Sequence, residues 1–141
     1  IMEKTLEIKI VTPDKVVYDS FGVTSITIPT MDGEITVLPD HIPLITPLKT
    51  GEVVFKKDGL DLGIAISGGV LEVRGGNQVV LLVERGELAH DIDVARAEDA
   101  YERAKLAMKM EMNEADVDFA KFQGLMEKEL NRINIGKKWR R

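Results

Sequence analysis

The sequence contains no cysteine. Disulfides, thiol nucleophiles and thiolate metal sites are therefore excluded, and the composition fits a reducing compartment. Histidine is scarce, with only His41 and His90. No H-x-x-x-H pair or EF-hand loop occurs, so no metal site is expected. There is no G-x-S-x-G elbow, and neither histidine has an evident partner set, so nucleophilic catalysis is not expected either. His41 stands between prolines and reads as a turn or hydrogen-bonding residue rather than a base. Aromatic residues make up only 5% of the chain, and no net basic domain interleaves them, which argues against nucleic-acid binding. No apolar run approaches the length that crosses a bilayer, and no secretory leader is visible.

What is present fits a globular chain of one or two small domains: 141 residues, 44% hydrophobic and 30% charged. The net charge of -5 is spread unevenly. Residues 1–90 carry 8 Lys+Arg against 13 Asp+Glu, and residues 91–118 carry 4 against 9. Residues 119–141 reverse the sign, with 7 against 2. The basic end around Trp139 points to an acidic partner surface, or else to a solvated helix end whose cations suit the helix dipole.

Proline and glycine divide the chain. All five prolines precede residue 48, and apolar residues in that half alternate or fall in short β-rich runs. Leu6 to Val11, Val16 to Tyr18, Val23 to Ile28, Glu34 to Val37, Ile45 to Leu48, Val53 to Phe55, Leu62 to Ile66, Val70 to Val73 and Val79 to Val83 all read as strands. Thr12 to Lys15 and Asp32-Gly33 read as turns. Gly68-Gly69 and Gly75-Gly76 are read as turn glycines. No helix pattern follows either pair, and a phosphate loop needs one. Short strands with no helix between them argue for an antiparallel sandwich or barrel.

After His90 the period changes. Val94, Ala97, Tyr101, Ala104 and Met108 form one helical stripe, and Phe119, Phe122, Met126, Leu130 and Ile133 form a second. Met112 to Glu114 is the expected turn, with Glu114, Asp116 and Asp118 at the start of the second helix. Asn134 and Gly136 mark its expected end. The fold expected is an N-terminal β-sandwich over residues 1–87, followed by an antiparallel two-helix hairpin over 88–141. The first stripe is thin in apolar area, so a ligand or partner can shift the hairpin's docking.

His90-Asp91-Ile92-Asp93-Val94-Ala95-Arg96-Ala97 marks the seam between these halves. Asp91 and Asp93 can cap the helix start and complement its dipole. Arg96 falls in the first turn, where the dipole disfavours a cation, and Arg103 lies seven residues on. Two guanidiniums there suit phosphate oxygens, with Glu87 and the Asp91–Asp93 backbone available to a base. The competing reading is ordinary helix ion pairing, since Asp99 lies three residues after Arg96 and four before Arg103.

One run carries a family resemblance: Gly33 to Leu48, GEITVLPDHIPLITPL, followed by Gly51-Glu52-Val53 and by Ile66-Ser67-Gly68-Gly69-Val70-Leu71-Glu72-Val73. It resembles the sandwich of the ε subunit of bacterial F-type ATP synthases, as does the opening LEIKIVTPDKVVYDS. The hairpin after residue 91 is similar to that family's C-terminal domain. Thr36 departs from the pattern, where the family leads one to expect glycine.

The resemblance implies a non-catalytic subunit of the central rotor stalk, coupling proton flow to ATP synthesis. It implies a sandwich set against the γ subunit and the c-ring. The complex would sit at the cytoplasmic face of the cell membrane, with the chain touching the membrane only through it. The hairpin would lie beside the sandwich or extend along γ toward the α and β subunits, where it blocks ATP hydrolysis. Lys121, Lys128 and Arg132 are the residues expected to meet an acidic loop of β. Some family members bind ATP as a regulatory ligand through an Ile/Leu-Asp-x-x-Arg-Ala motif. Ile92, Asp93, Arg96 and Ala97 match it in full, and Glu87, Asp91 and Arg103 join the expected site. Two second-helix arginines of the strongest binders are absent, with Met126 and Leu130 near their places and Arg132 close by. The alternative is a constitutive structural adaptor with a fixed hairpin and no ligand.

Overall fold

The computed structural model describes residues 4–111 and 119–140. The expected turn at Met112–Glu114 and the acidic start at Glu114, Asp116 and Asp118 lie outside the described residues. Seven strands come first: β1 (Leu6–Val11), β2 (Val16–Thr30), β3 (Gly33–Val37), β4 (Leu44–Leu48), β5 (Gly51–Lys57), β6 (Leu60–Arg74) and β7 (Gln78–Leu88). A 3-10 turn at Ala89–Asp91 leads to two helices, α1 (Val94–Glu111) and α2 (Phe119–Lys138).

The strands run in the order β1-β7-β6-β4-β2-β3, and β5 bridges β2 and β6. β1 also pairs with β2, and β1 and β7 run parallel while the other pairs are antiparallel. The result is a sandwich whose edges are largely joined, which limits the unpaired backbone groups that invite edge-to-edge association. Alternate residues point inward, so Leu6, Ile8 and Ile10 of β1 meet Ile26 and Ile28 of β2 and Phe55 of β5 in one core. Asp58 and Gly59 both take positive φ between Lys57 and Leu60, the two-residue turn that matches strand twist.

Two pairs of expected strands are single long strands. Val16–Tyr18 and Val23–Ile28 merge into β2, with Gly22 at φ 78 and shifts of register around Val23. Leu62–Ile66 and Val70–Val73 merge into β6 through Gly68-Gly69, which is a mid-strand kink rather than a turn. The core positions are even before that pair (Ile64, Ile66) and odd after it (Leu71, Val73). Gly68 at φ 60 and Gly69 at φ 137 supply this change of phase. The strand pairs with β5 up to Ile66 and with β4 from Gly69 on. Gly75-Gly76 does lie in a hairpin turn, joining Arg74 to Gln78.

Helix α2 runs past its expected end. Gly136 is helical and buried rather than a cap, because a Cβ there would lie 2.6 Å from Val94 Cγ2. Phe122 and Ile133 of the expected stripe are buried, but Phe119 and Leu130 are exposed. Glu129 and Ile135 are buried instead. The hairpin's apolar cluster joins Ala65 of β6 to Ala89, Ile92, Val94, Ala97, Ile133 and Ile135, with Tyr101 and Trp139 against it. Three of its seven buried residues are alanine, which limits the apolar area the cluster buries.

Candidate functional site

The helix start forms as its composition dictates. Asp93 is the N-cap of α1: its Oδ1 accepts a bond from the Arg96 N–H at 3.0 Å, and its carbonyl oxygen accepts one from Ala97. Asp91 ends the 3-10 turn and makes no cap bond to α1 among the described residues. Ile92 and Ala97 are both buried, Ala97 completely. Arg96 projects from the first turn into solvent, with no side-chain partner among the described residues. Arg103 is exposed and lies 3.8 Å from Asp99, a pair worth about 0.3–0.5 kcal/mol. The anticipated Arg96–Asp99 pair does not form among the described residues.

The motif therefore divides by face. Ile92 and Ala97 turn inward to anchor the helix. Asp93 is spent on the cap. Arg96 and Arg103 face outward.

A second constellation lies along the seam between α2 and the sandwich. Arg132 donates to Glu87 at the end of β7 and to Glu129 one helical turn earlier. The Glu87 carboxylate, chiefly, raises the Arg132 pKa above its ordinary value, against the lowering effect of burial. Lys128 lies 3.5 Å from Glu84 of β7. Asn131 donates its amide to the carbonyls of Gly51 and Ile66, at 3.1 and 3.4 Å. Under the helix, the hydroxyl of Ser67 is buried with no hydrogen-bond partner.

These groups border a cleft of about 400 Å³ that also takes in Asp91 and the turn at Thr12–Lys15. The cleft thus gathers Glu87, Asp91, Lys128 and Arg132, while Arg96 and Arg103 do not line it. Lys121 sits on the exposed face of α2. Met126 is half-buried and Leu130 exposed, so α2 offers no guanidinium at either position.

At the far end of α2, Lys138 Nζ and Trp139 Nε1 share the carboxylate of Glu52, at 2.6 and 3.0 Å. Lys137 lies 3.2 Å from Glu98 of α1. Part of the basic tail therefore finds its acidic surface within this chain. The sequence reading missed Glu52 and Gly63 as partners of Trp139. The available signal was the lone tryptophan, set among cations, opposite an acidic and glycine-bearing hairpin.

The described residues contain no group of three His, Asp or Glu arranged to hold a metal. No described helix is long and apolar enough to cross a membrane.

Comparison with known proteins agrees with this architecture. The ATP synthase delta/epsilon chain β-sandwich model matches residues 5–89, and the long α-helix domain model of the same chain matches residues 90–137. The ATP synthase epsilon chain of Halalkalibacterium halodurans is 40% identical, over 93% of this chain and 96% of its own length. That of Bacillus subtilis is 40% identical over 81% of this chain and 85% of its own. Among solved structures, a chain of the Euglena gracilis mitochondrial ATP synthase superposes with a TM-score of 0.73 at 23% identity. That match covers 98% of this chain and 84% of the other. A chain of the Tetrahymena thermophila mitochondrial ATP synthase gives 0.59 at 14%, covering 98% of both. These two likenesses speak for the fold. Together with the family models and the relatives at 40% identity, they show that the chain belongs to the ATP synthase delta/epsilon chain family.

Proposed function

We propose that this chain is the ε-type rotor subunit of a proton-driven ATP synthase and that its hairpin brakes ATP hydrolysis. The sandwich binds the γ subunit and the c-ring and takes no part in bond chemistry. Its solved relatives come from assemblies described as F1/c-ring and central stalk/c-ring, and the reading carries that setting over. The complex holds the chain at the cytoplasmic face of the membrane.

One observation carries the braking role. Two of the cations expected to meet the acidic loop of β, Lys128 and Arg132, are here paired with Glu84 and Glu87 of the sandwich. The same charges cannot serve both surfaces, so docking and braking exclude each other. ATP is the ligand that favours docking. Arg96 and Arg103 are available for its phosphates, but α2 supplies no arginine at 126 or 130, so affinity is weak. Bound ATP stabilises the docked form by RT ln(1 + [ATP]/Kd), about 2.7 kcal/mol at a hundredfold excess.

Deleting residues 91–141 tests the brake: ATPase activity of the assembled complex should rise. Unchanged activity would leave only a role in assembly. Calorimetric titration of ATP into the folded chain tests the ligand, and absence of heat at millimolar ATP would remove it.

A second reading, a fixed adaptor without ligand, draws on the buried Ile92 and Ala97 and the capping Asp93. Each has a structural task that needs no nucleotide. Arg96→Ala with equal hairpin stability in the presence and absence of ATP would favour it.

A further inference from the structure

We propose that Trp139 is the lock that sets how readily the hairpin leaves the sandwich; this rests on the movable-hairpin reading above. Gly63 of β6 has an ordinary φ, so its backbone does not require glycine. What requires it is the indole. A Cβ on Gly63 would lie 2.6 Å from Trp139 Cε2 and Nε1. The missing side chain is a notch, and the ring fills it.

Polar contacts close the notch from above. The indole N–H donates to one oxygen of Glu52, and Lys138 holds the other. His90 stands edge-on to the ring, with centroids 6.4 Å apart. Ring packing and the N–H bond are independent contributions, each favourable where water is excluded.

The apolar part of the seam is poorly suited to hold the hairpin alone. Its apolar cluster is built largely of alanine, isoleucine and valine, and Trp139 is the largest side chain against it. Ser67 stands beneath the seam with its hydroxyl buried and unpartnered, a desolvation cost that undocking would relieve. Trp139 also lies just beyond the C-terminal end of α2. Releasing it frees one end of the helix, from which the hairpin can peel while Arg132 and Lys128 still hold the middle.

The chain's lack of cysteine permits a direct test. Spin labels at Glu34→Cys on β3 and Gln123→Cys on α2 report docking in the full-length protein by double electron–electron resonance. Trp139→Ala should raise the extended-to-docked ratio about tenfold. Trp139→Phe, which keeps a ring but loses the N–H, should give a smaller rise. Gly63→Ala should reproduce Trp139→Ala by expelling the indole, with circular dichroism of the sandwich unchanged. If Trp139→Ala and Gly63→Ala leave the distances as in the parent while Arg132→Ala lengthens them, the lock is wrong and the movable hairpin stands. If Arg132→Ala also leaves them unchanged, both readings fall.

Discussion

Arg132 grips both oxygens of Glu87 across the seam, Nε at 2.8 Å and Nη2 at 3.2 Å, while Nη1 holds Glu129 at 2.8 Å. One guanidinium thus bridges two carboxylates, and the Glu129 residue is buried. Removing Arg132 leaves both acids uncompensated, whereas removing Glu87 leaves Arg132 with Glu129. Arg132→Ala should therefore destabilise the hairpin by about 2–3 kcal/mol, and Glu87→Ala by less. Thermal melts followed by circular dichroism measure the order. The folded pKa of Arg132 lies above its unfolded value, so its contribution is fully present below the unfolded value. It is lost only as pH rises through the folded value. Across the neutral range the Arg132→Ala difference should be constant.

Asp93 has an assigned structural task that separates from its charge. As N-cap it needs only a short side-chain oxygen, and Ser supplies one. Asp93→Ala should cost α1 about 1 kcal/mol, and Asp93→Ser much less. Any ATP effect that depends on the carboxylate itself would be lost in both. Comparing helix stability with ATP titration heat in the two variants therefore tells cap from ligand contact.

The glycines of β6 and of the turn that follows it differ sharply in what they tolerate. Gly69 has φ 137, and a Cβ there would run into the Leu82 carbonyl oxygen. Gly75 has open space around it and no positive φ. Gly69→Ala should destabilise the sandwich by about 3 kcal/mol or more, combining backbone strain with a clash that flanking strands cannot absorb. Gly75→Ala should be neutral or stabilising by up to about 1 kcal/mol, through the unfolded chain. Denaturant midpoints compare the two directly.

The same glycines show how far the sequence could be read. Alternation of Leu6, Ile8 and Ile10, and the later period of Val94, Ala97 and Tyr101, reflect local geometry and were legible. Gly68-Gly69 looked like a turn because its role depends on β4 and β5, neighbours distant in sequence. Gly136 resembled a helix stop because nothing local reveals that Val94 and Ile92 press against it. Thr36 departed from the family pattern yet sits within β3, its hydroxyl bonded to that of Thr27 on β2 at 2.9 Å. Asp93 was legible as the cap, whereas spacing left Arg96 open between a pair with Asp99 and a phosphate contact, and Asp99 pairs with Arg103 instead. The seam was not legible, since Arg132 and Glu87 are 45 residues apart and their meeting depends on how the whole hairpin docks.

The outer face of the sandwich carries an apolar row with no partner among the described residues. Leu82 of β7 pairs with Val70 of β6, which pairs with Pro47 of β4, and Ile45 lies two residues before Pro47 on the same face. Ile45 is 74% exposed, Leu82 51% and Val70 41%. A contiguous row of this kind is unusual on a free surface and suits a partner that covers it. In the proposed rotor setting that partner is another stalk subunit, and burial at the centre of the contact would make these side chains the dominant anchors. Ile45→Asp and Leu82→Asp should leave the melting temperature of the isolated chain nearly unchanged, since both side chains already face water. Each should nonetheless weaken capture of the chain by the purified γ subunit about tenfold or more, because the new carboxylate would be buried without a partner. Capture at parental strength by both variants would move the rotor contact to another face of the sandwich.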